Sequence, residues 1–206
     1  MITDEEEGRK AGRPRSIEAH QAILDATLLL LSTQGFEAMS IEEVATRASV
    51  GKTTIYRWWA SKEALALEAL QSLYAKRRPI IDTGNLRHDL ISMIEDFIQL
   101  MEEEGTLLEN LTFKLLGELK TRPELLQMFY LRIVEPRLQQ FTQLVERAQE
   151  RGELRQDLDP LVLFGLFCGP CFCRILLSGK IAPYGPHWAE QVVDAALNGA
   201  AVGYEC

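Results

Sequence analysis

The sequence has little that would place it in a membrane or in a secretory pathway. Its longest apolar run, residues 161–173, contains two glycines and a proline and is well short of the roughly 20 residues that a membrane-spanning helix needs. The first 16 residues carry acids and then bases but no apolar segment, so they do not resemble a secretory signal. We therefore expect a cytoplasmic protein with no membrane partner, whose four cysteines stay reduced.

Patterns typical of β-strands are also scarce. No stretch alternates apolar and polar residues convincingly, whereas nearly every segment beyond residue 15 has helical spacing. We predict an all-α protein, with Ser16 as the first N-cap, a capping box at Ser40 and Glu43, and a kink or break at Pro136. The predicted helices cover about residues 16–35, 41–48, 52–59, 61–78, 86–104, 107–120, 123–151, 160–178 and 186–203.

The net charge of −8 is distributed unevenly along the chain. Residues 8–62 contain eight Lys/Arg and five Asp/Glu, whereas residues 63–206 contain 14 Lys/Arg and 21 Asp/Glu. A basic segment in an acidic protein indicates that this segment meets a polyanion while the remainder does not.

The stretch SVGKTTIYRWWASKE, residues 49–63, allows two conflicting interpretations. Gly51-Lys52-Thr53 has the letters that end a phosphate-binding P-loop, which requires a glycine five residues before Gly51 and a preceding strand. That position is Thr46, and the segment before it has the pattern of an amphipathic helix. The P-loop interpretation, and the nucleotide-binding enzyme that it implies, is therefore remote.

The second interpretation is a helix-turn-helix. A capped helix over 41–48, a turn at 49–51 and a short helix over 52–59 have the layout in which the second helix enters the DNA major groove. In this register Ile55 and Trp59 point inward. The side chains left to face outward are those of Lys52, Thr53, Tyr56 and Arg57.

These residues resemble the DNA-binding domain of the TetR (tetracycline repressor) family of bacterial regulators. The resemblance covers about residues 16–65, including IEEVATRASVGKTTIYRWWASKEAL, while the second half is similar only in layout. Positions that match the family pattern directly are Ala48, Val50, Thr54, Ile55, Tyr56, Ser61, Lys62 and Glu63. Gly51 replaces the usual serine cap, and Trp58 and Trp59 replace the usual His/Tyr and Phe.

The resemblance implies a division of the chain and a set of DNA contacts. We expect a flexible basic arm (1–15), a helix-turn-helix domain (16–62) and a helical ligand-sensing and dimerisation domain (63–206) that begins with a linking helix (63–78). Tyr56 and Lys62 are expected to hold phosphates, and Lys52 and Thr53 to approach base edges. The full set of expected DNA-contacting residues is Arg13, Arg15, Ser40, Lys52, Thr53, Thr54, Tyr56, Arg57, Trp58 and Lys62.

The arm RKAGRPR, residues 9–15, has two interpretations. An extended arm with arginines can enter the narrow minor groove of A·T-rich DNA, with Arg13 inserted most deeply. The alternative is a disordered tail that only promotes solubility.

The segment FCGPCFC, residues 167–173, contains the letters of a thioredoxin-type redox motif. Neither a preceding strand nor a βαβ context is present, and the three histidines form no local pair that would complete a zinc site with Cys168, Cys171 and Cys173. Packing in an apolar helix is favoured, with redox sensing and metal binding as alternatives. Arg174 in this helix is expected to reach a carboxylate or, alternatively, an acidic effector.

Large apolar side chains in the second half could enclose a ligand pocket between bundle helices, although the same residues also describe an ordinary core. They are Phe97, Met101, Phe113, Leu116, Phe129, Phe141 and Phe164.

Taken together, the residues and the resemblance predict a regulator, not an enzyme, that needs no cofactor or metal. The resemblance implies a homodimer joined through helices 160–178 and 186–203, which binds a palindromic double-stranded operator as a repressor and is released by a small-molecule effector. The hinge is expected to be the fourth helix. A DNA-binding regulator that senses oxidation at the three cysteines is the alternative, and a disulfide oxidoreductase is a remote one.

Overall fold

The computed structural model describes residues 13–77, 79–177 and 185–198, and within these ranges all regular structure is helical. Side chains 13–16, 116, 119 and 175–177 are outside the description. The helices are α1 (Arg13–Gln34), α2 (Ile41–Arg47), α3 (Lys52–Trp58), α4 (Lys62–Tyr74), α5 (Leu86–Leu119), α6 (Pro123–Phe129), α7 (Glu135–Glu150), α8 (Pro160–Leu177) and α9 (Trp188–Asn198). The predicted all-α fold is confirmed.

Most of the predicted helix ends in the first half agree with the structure. The Ser40 hydroxyl accepts a hydrogen bond from the Glu43 amide, and the Glu43 carboxylate accepts one from the Ser40 amide, so the capping box is present. The Ser61 hydroxyl accepts a hydrogen bond from the Ala64 amide and so caps α4. The N-cap predicted at Ser16 is wrong, because α1 already begins at Arg13.

The structure joins two predicted helices, 86–104 and 107–120, into the single 34-residue helix α5. The predicted gap between these helices contains Gly105, and a glycine inside a helix costs about 1 kcal/mol relative to alanine. Leu100 and Leu108, on either side of Gly105, are both buried in one apolar core. Burial on both sides of the glycine offsets its helix propensity and keeps α5 continuous.

Pro136 divides the long helix predicted over 123–151, as expected. A π-helical segment, Tyr130–Val134, separates α6 from α7. Pro136 has no N–H to donate to the carbonyl of Arg132 four residues earlier, and that carbonyl accepts a hydrogen bond from Gln71 Nε2 of α4 at 3.3 Å. Because Pro136 leaves this carbonyl without a helical donor, the carbonyl can accept the hydrogen bond from Gln71, which ties α4 to the second half of the protein.

Two apolar cores share α5. The first is formed by α1–α4 together with α6 and the second half of α5, and includes Leu31, Phe36 and Leu115. The second is formed by the first half of α5 with α7, α8 and α9, and includes Leu90, Phe141 and Val193. Because α5 crosses from one core to the other, it joins the helix-turn-helix region to the remaining bundle.

Candidate nucleic-acid interface

The turn between α2 and α3 is defined by backbone hydrogen bonds. The Val50 amide donates to the Ala45 carbonyl at 2.9 Å and the Ser49 amide donates to the Thr46 carbonyl at 3.2 Å. Ser49 has a positive φ of 55°, so this is a Schellman motif with serine at the left-handed position. Gly51 then caps α3 through its backbone alone, with no side-chain hydrogen bond. The motif holds α3 at a defined angle to α2.

The orientation of α3 agrees with the predicted register. Ile55 and Trp59 are 1% and 3% exposed and belong to the first core. The side chains of Lys52, Thr53 and Arg57 are exposed, and Tyr56 is 56% exposed. A large aromatic side chain held this far out of the core, beside two cations, forms a surface suited to a phosphate backbone.

Lys52 is exposed but has a partner. Its ammonium forms an ion pair with the carboxylate of Glu42 on α2. The hydrogen bond from Lys52 is the main cause that lowers the pKa of Glu42, with the positive charge of Lys52 as a further cause. Because both side chains are more than half exposed, this pair is weak and can open when a stronger acceptor is offered to Lys52.

The expectation that Lys62 holds a DNA phosphate stays a prediction, and its ammonium already has partners inside the protein. Its Nζ donates to the carbonyls of Phe36, Glu37 and Met39 at 2.9, 3.3 and 3.1 Å. It also lies 4.5 Å from the centroid of the Phe36 ring. An ammonium has three N–H donors, and all three are used inside the protein. Lys62 therefore holds the α1–α2 loop, for which its side-chain length and charge are the physical reason.

Trp58 is only partly available for DNA. It is half-buried, and its ring lies edge-on to Trp59 with centroids 5.6 Å apart. His20 of α1 contacts both indole rings, and the Trp59 indole N–H donates to Glu68 at 2.7 Å. The two tryptophans thus pack α3 against α1 and α4. Only the outer part of Trp58 can lie along a sugar-phosphate chain.

The remaining residues expected to contact DNA differ in how much of their side chain is available to it. The Ser40 hydroxyl is used by the capping box, and Thr54 is half-buried in the first turn of α3. The expected extended arm is corrected in part, because Arg13 and Arg15 lie in the first turn of α1, where helical backbone replaces an extended one. Their side chains, and the rest of the arm, lie outside the described residues.

Sequence reasoning missed a contact between α5 and the α1–α2 loop. Both carboxylate oxygens of Glu118 accept backbone N–H groups, from Phe36 at 2.8 Å and from Glu37 at 3.0 Å. Arg122, just after α5, forms an ion pair with Glu37. A Cβ on Gly35 would lie 2.6 Å from Glu118 Oε1, so the carboxylate would have to move, and the φ of 88° at residue 35 independently favours glycine. We call Glu118, Arg122 and the loop residues 35–37 the loop clamp.

Two neighbouring cavities lie beside α4, the helix that follows the recognition region. One has a volume of about 540 Å³ between α4, the π-helical segment and α7, and the other has a volume of about 260 Å³ between α4, α5 and α8. Tyr74, Arg77 and Phe129 line both cavities. The smaller cavity is lined mostly by apolar side chains of α5 and α8, as a ligand site between helices usually is.

The seven apolar residues expected around a pocket take different places. Phe97, Phe129 and Phe164 line the cavities. Phe141 is fully buried in the second core, with its ring 5.2 Å from that of Phe164. Phe113 is 49% exposed and lines neither of these two cavities, so nothing here supports a pocket role for it.

Two pocket candidates remain. Met101 is partly buried against both cores and lies on neither cavity wall. The side chain of Leu116 is outside the described residues.

Two of the three cysteines of α8, Cys168 and Cys171, have the surroundings of packed thiols. Burial raises the pKa of Cys168 to about 11 and that of Cys171 to about 12, and the Cys171 thiol lies 3.9 Å from the Phe167 carbonyl. Cys173 is exposed. A thiol with a raised pKa forms less of the reactive thiolate, which disfavours the redox alternative. The Arg174 guanidinium lies 5.6 Å from the Trp188 ring centroid.

The described residues also bear on metal sites and on membrane spans. No three His, Cys, Asp or Glu side chains in them lie close enough together to hold a metal ion. None of the helices described is both long and apolar enough to cross a membrane.

The geometry of α2, α3 and their turn is that of a helix-turn-helix, and it is followed by an all-helical second half with two cavities beside α4. Residues 23–69 match the bacterial regulatory proteins of the tetR family, and residues 80–196 match the tetracyclin repressor-like C-terminal domain. The chain belongs to the TetR family of DNA-binding transcriptional regulators.

Individual relatives agree with this assignment. The HTH-type transcriptional regulator YdeS of Bacillus subtilis (strain 168) is 36% identical over 171 residues, which are 82% of this chain and 84% of YdeS. The DNA-binding transcriptional repressor TetR of Mycobacteroides abscessus is 29% identical over 85% of this chain and 90% of its own. The crystal structure of a TetR-family transcription regulator superposes with a TM-score of 0.62 at 28% identity, covering 90% of this chain and 100% of the other.

Proposed function

We propose that the protein is a repressor that binds a palindromic operator as a homodimer and releases it when a small molecule occupies the cavities beside α4. The observation that carries the DNA-binding part is the exposed surface of α3. Lys52, Thr53, Tyr56 and Arg57 project from a short helix whose opposite side, at Ile55 and Trp59, is buried in the core. A rigidly held helix that presents cations and a tyrosine is what major-groove binding requires.

Within this proposal, each exposed residue has a role. Tyr56 and Arg57 hold phosphates, and Lys52 and Thr53 reach base edges after Lys52 exchanges Glu42 for an acceptor on DNA. Arg13 and Arg15 of the first helical turn, with the basic residues that precede them, approach the backbone or the minor groove. Trp58 contributes the outer part of its ring, and Ser40 and Lys62 contribute by holding the domain together.

The homodimer is proposed from α8. Large apolar side chains that are about half exposed lie on one side of this helix together with Gly165. They are Leu161, Val162, Leu166 and Phe172. A second copy that covers this surface would place two α3 helices in successive major grooves, roughly 34–36 Å apart.

The test begins with selection of binding sites from a random-sequence duplex library, so that the target is not assumed. Binding to the selected site is then measured by fluorescence anisotropy over a salt series for the wild type, Tyr56→Ala and Tyr130→Ala. Tyr130 is a matched control, because it is 42% exposed on the π-helical segment and outside the helix-turn-helix.

We expect a palindromic selected site and specific affinities of about 10⁻⁸–10⁻¹¹ M that fall steeply with salt. Tyr56→Ala should weaken binding at least about tenfold, the scale of one charge-assisted phosphate contact, while Tyr130→Ala binds as the wild type does. If the selection enriches no site, or Tyr56→Ala binds like Tyr130→Ala, the proposed use of α3 is wrong.

A further inference from the structure

The two cavities beside α4 differ in the chemistry of their walls. The cavity of about 260 Å³ is lined on the α5 and α8 sides by apolar side chains, including Met93, Phe97, Leu100 and Phe167. The cavity of about 540 Å³ is lined by polar and basic side chains as well, namely Gln71, Arg77, Arg132, Arg137 and Gln140. A molecule that fills both would need an apolar part at one end and a polar part at the other.

Two arginines line the larger cavity, and one of them also lines the smaller one. Arg77, which follows α4, lines both cavities and is half-buried, and the Nε–H group is buried with no acceptor among the residues that the structure describes. Arg137 of α7 lines the larger cavity and is also half-buried. A buried guanidinium N–H that donates to nothing loses its hydration without compensation, so an oxygen acceptor at this place is favoured.

The charges around these arginines add to this preference. Burial, followed by the positive charge of Arg77, lowers the pKa of Arg137 to about 10, while Asp96 and Cys168 act in the opposite direction. Burial raises the pKa of Tyr74, which also lines both cavities, so that its phenol stays a neutral hydrogen-bond donor or acceptor. Two like charges near each other in a partly buried site repel; Asp96 offsets part of that repulsion at Arg137, and a bound anion would relieve more of it.

From this arrangement we infer that the effector is an amphipathic anion, a carboxylate on a single aliphatic chain, whose head group binds between Arg77 and Arg137 and whose chain lies among Met93, Phe97 and Leu100. This inference rests on the proposed function, since it names the chemical class of the molecule in the proposed effector site. Arginine presents its N–H groups in a planar fork that matches a carboxylate. The apolar wall stabilises the chain by removing it from water.

The position of the head group also explains how binding of such a molecule would affect the DNA-binding region. Arg77 and Tyr74 lie at the end of α4, the helix whose first residue is Lys62. Gln71 of α4 donates to the Arg132 carbonyl on the wall of the larger cavity. A carboxylate held between α4 and α7 therefore biases the position of α4 against the bundle.

The experiment is isothermal titration calorimetry of the full chain with saturated carboxylates from hexanoate to tetradecanoate. Each is compared with the primary alcohol and the alkyltrimethylammonium ion of the same chain length, so that only the head group changes. The variants are Arg77→Gln, Arg137→Gln and the control Arg155→Gln, an exposed arginine outside both cavities.

We expect at least one carboxylate to bind about tenfold or more tightly than its alcohol, the scale of a charge-assisted hydrogen bond, and the ammonium ion not to bind. Arg77→Gln and Arg137→Gln should lose this preference for the carboxylate and keep the affinity for the alcohol, which also shows that their cavities are folded. Arg155→Gln should behave as the wild type does. The inference is overturned if no carboxylate in the series binds, if carboxylate and alcohol bind alike, or if both variants keep the preference.

DNA anisotropy on the same preparations separates this inference from the proposed function. Carboxylate-selective binding by a protein that binds no DNA would leave the inference standing and remove the regulator function. Tight DNA binding with no preference between carboxylate and alcohol would support the regulator function and overturn the inference about the effector.

Discussion

At the scale of single residues, Lys62 illustrates how a side chain that a sequence pattern assigns to DNA can have hydrogen-bond partners within the protein. Its three donors are accepted by Phe36, Glu37 and Met39, in the loop that joins α1 to α2. Lys52 is the contrasting cation of the same region, because its partner Glu42 is exposed and the pair is accessible to water. The two lysines should therefore respond differently to the same substitution.

We expect Lys62→Met to lower the free energy of unfolding by about 1–3 kcal/mol, because three loop carbonyls lose their donor. Lys52→Met, the control, should change it by no more than about 0.5 kcal/mol. Urea unfolding measures both. A Lys62→Met protein of unchanged stability, whose DNA affinity loses about one unit of salt slope, would instead support a phosphate contact.

The thiols of α8 give a prediction with a pH dependence. Because the pKa values of Cys168 and Cys171 are raised to about 11 and 12 from 9.0, both thiols should react with N-ethylmaleimide at neutral pH at least about tenfold more slowly in the native protein than in urea. Peptide mapping by mass spectrometry measures each residue separately. Equal rates in the native and unfolded states would contradict the packed environment.

The same pKa values determine the sign of the effect of pH on stability. Below the pKa of an unfolded thiol, folded and unfolded chains bind the same thiol protons. Above about pH 9 the unfolded chain loses these protons first, so the free energy of unfolding falls as pH rises further toward the folded pKa values. A Cys168→Ser, Cys171→Ser double variant is the control, and its stability should fall less over this pH range.

At the scale of elements, the loop clamp connects α5 to the helix-turn-helix by a route that does not pass through α4. Glu118 lies near the end of a helix that spans both cores and accepts two backbone N–H groups of the α1–α2 loop. The expected hinge, α4, is thus accompanied by a second connection between the bundle and the DNA-binding region. A shift of α5 relative to the second core would be transmitted to α1 and α2 directly.

Glu118→Gln tests the clamp with little change in volume. A glutamine has one acceptor oxygen where the carboxylate has two, so one of the two amides of Phe36 and Glu37 loses its acceptor, at a cost of about 1–2 kcal/mol. Hydrogen exchange measured by NMR should show faster exchange at one or both amides. Glu102→Gln, at an exposed position of the same helix, is the control; if both variants exchange alike, the clamp does not hold the loop.

At the scale of the whole molecule, the proposed dimer interface is the apolar surface of α8, which would bring two recognition helices together. Leu166 is 53% exposed and lies beside Gly165, where a neighbouring helix can approach closely. We expect Leu166→Glu to sediment as a monomer in analytical ultracentrifugation, because a charge at the centre of the proposed interface is not paired.

The matched control for dimerisation is Leu126→Glu, since Leu126 is 46% exposed on α6. It should leave the sedimentation coefficient of the dimer unchanged. Dissociation by Leu126→Glu but not by Leu166→Glu would place the interface on the α6 side of the molecule. The monomeric variant should also bind the operator more weakly than the dimer does. It loses the affinity that the second protomer contributes at the other half-site.

The helix-turn-helix could be predicted from sequence because its signals are local. The Ser40–Glu43 capping box, the buried spacing of Ile55 and Trp59 and the exposed positions between them all lie within a few residues of one another. The family assignment followed from the same segment. Local prediction failed at two places. It divided α5 near Gly105, where packing on both sides of the glycine outweighs its low helix propensity. It also began α1 at Ser16, whereas the helix has nearly one further turn that begins at Arg13.

The sequence by itself determined the all-helical class, the register of α3 and the residues that it exposes, since helix periodicity and caps depend on neighbours along the chain. Only the tertiary structure decided that Lys62 binds a loop, that Glu118 reaches across 82 positions to Phe36, and that Arg77 and Arg137 line the same cavity. These contacts join residues that are distant in the chain, and their partners are chosen by how α5 and α4 pack. No local pattern encodes that packing, because it depends on the burial of apolar side chains from the whole molecule at once.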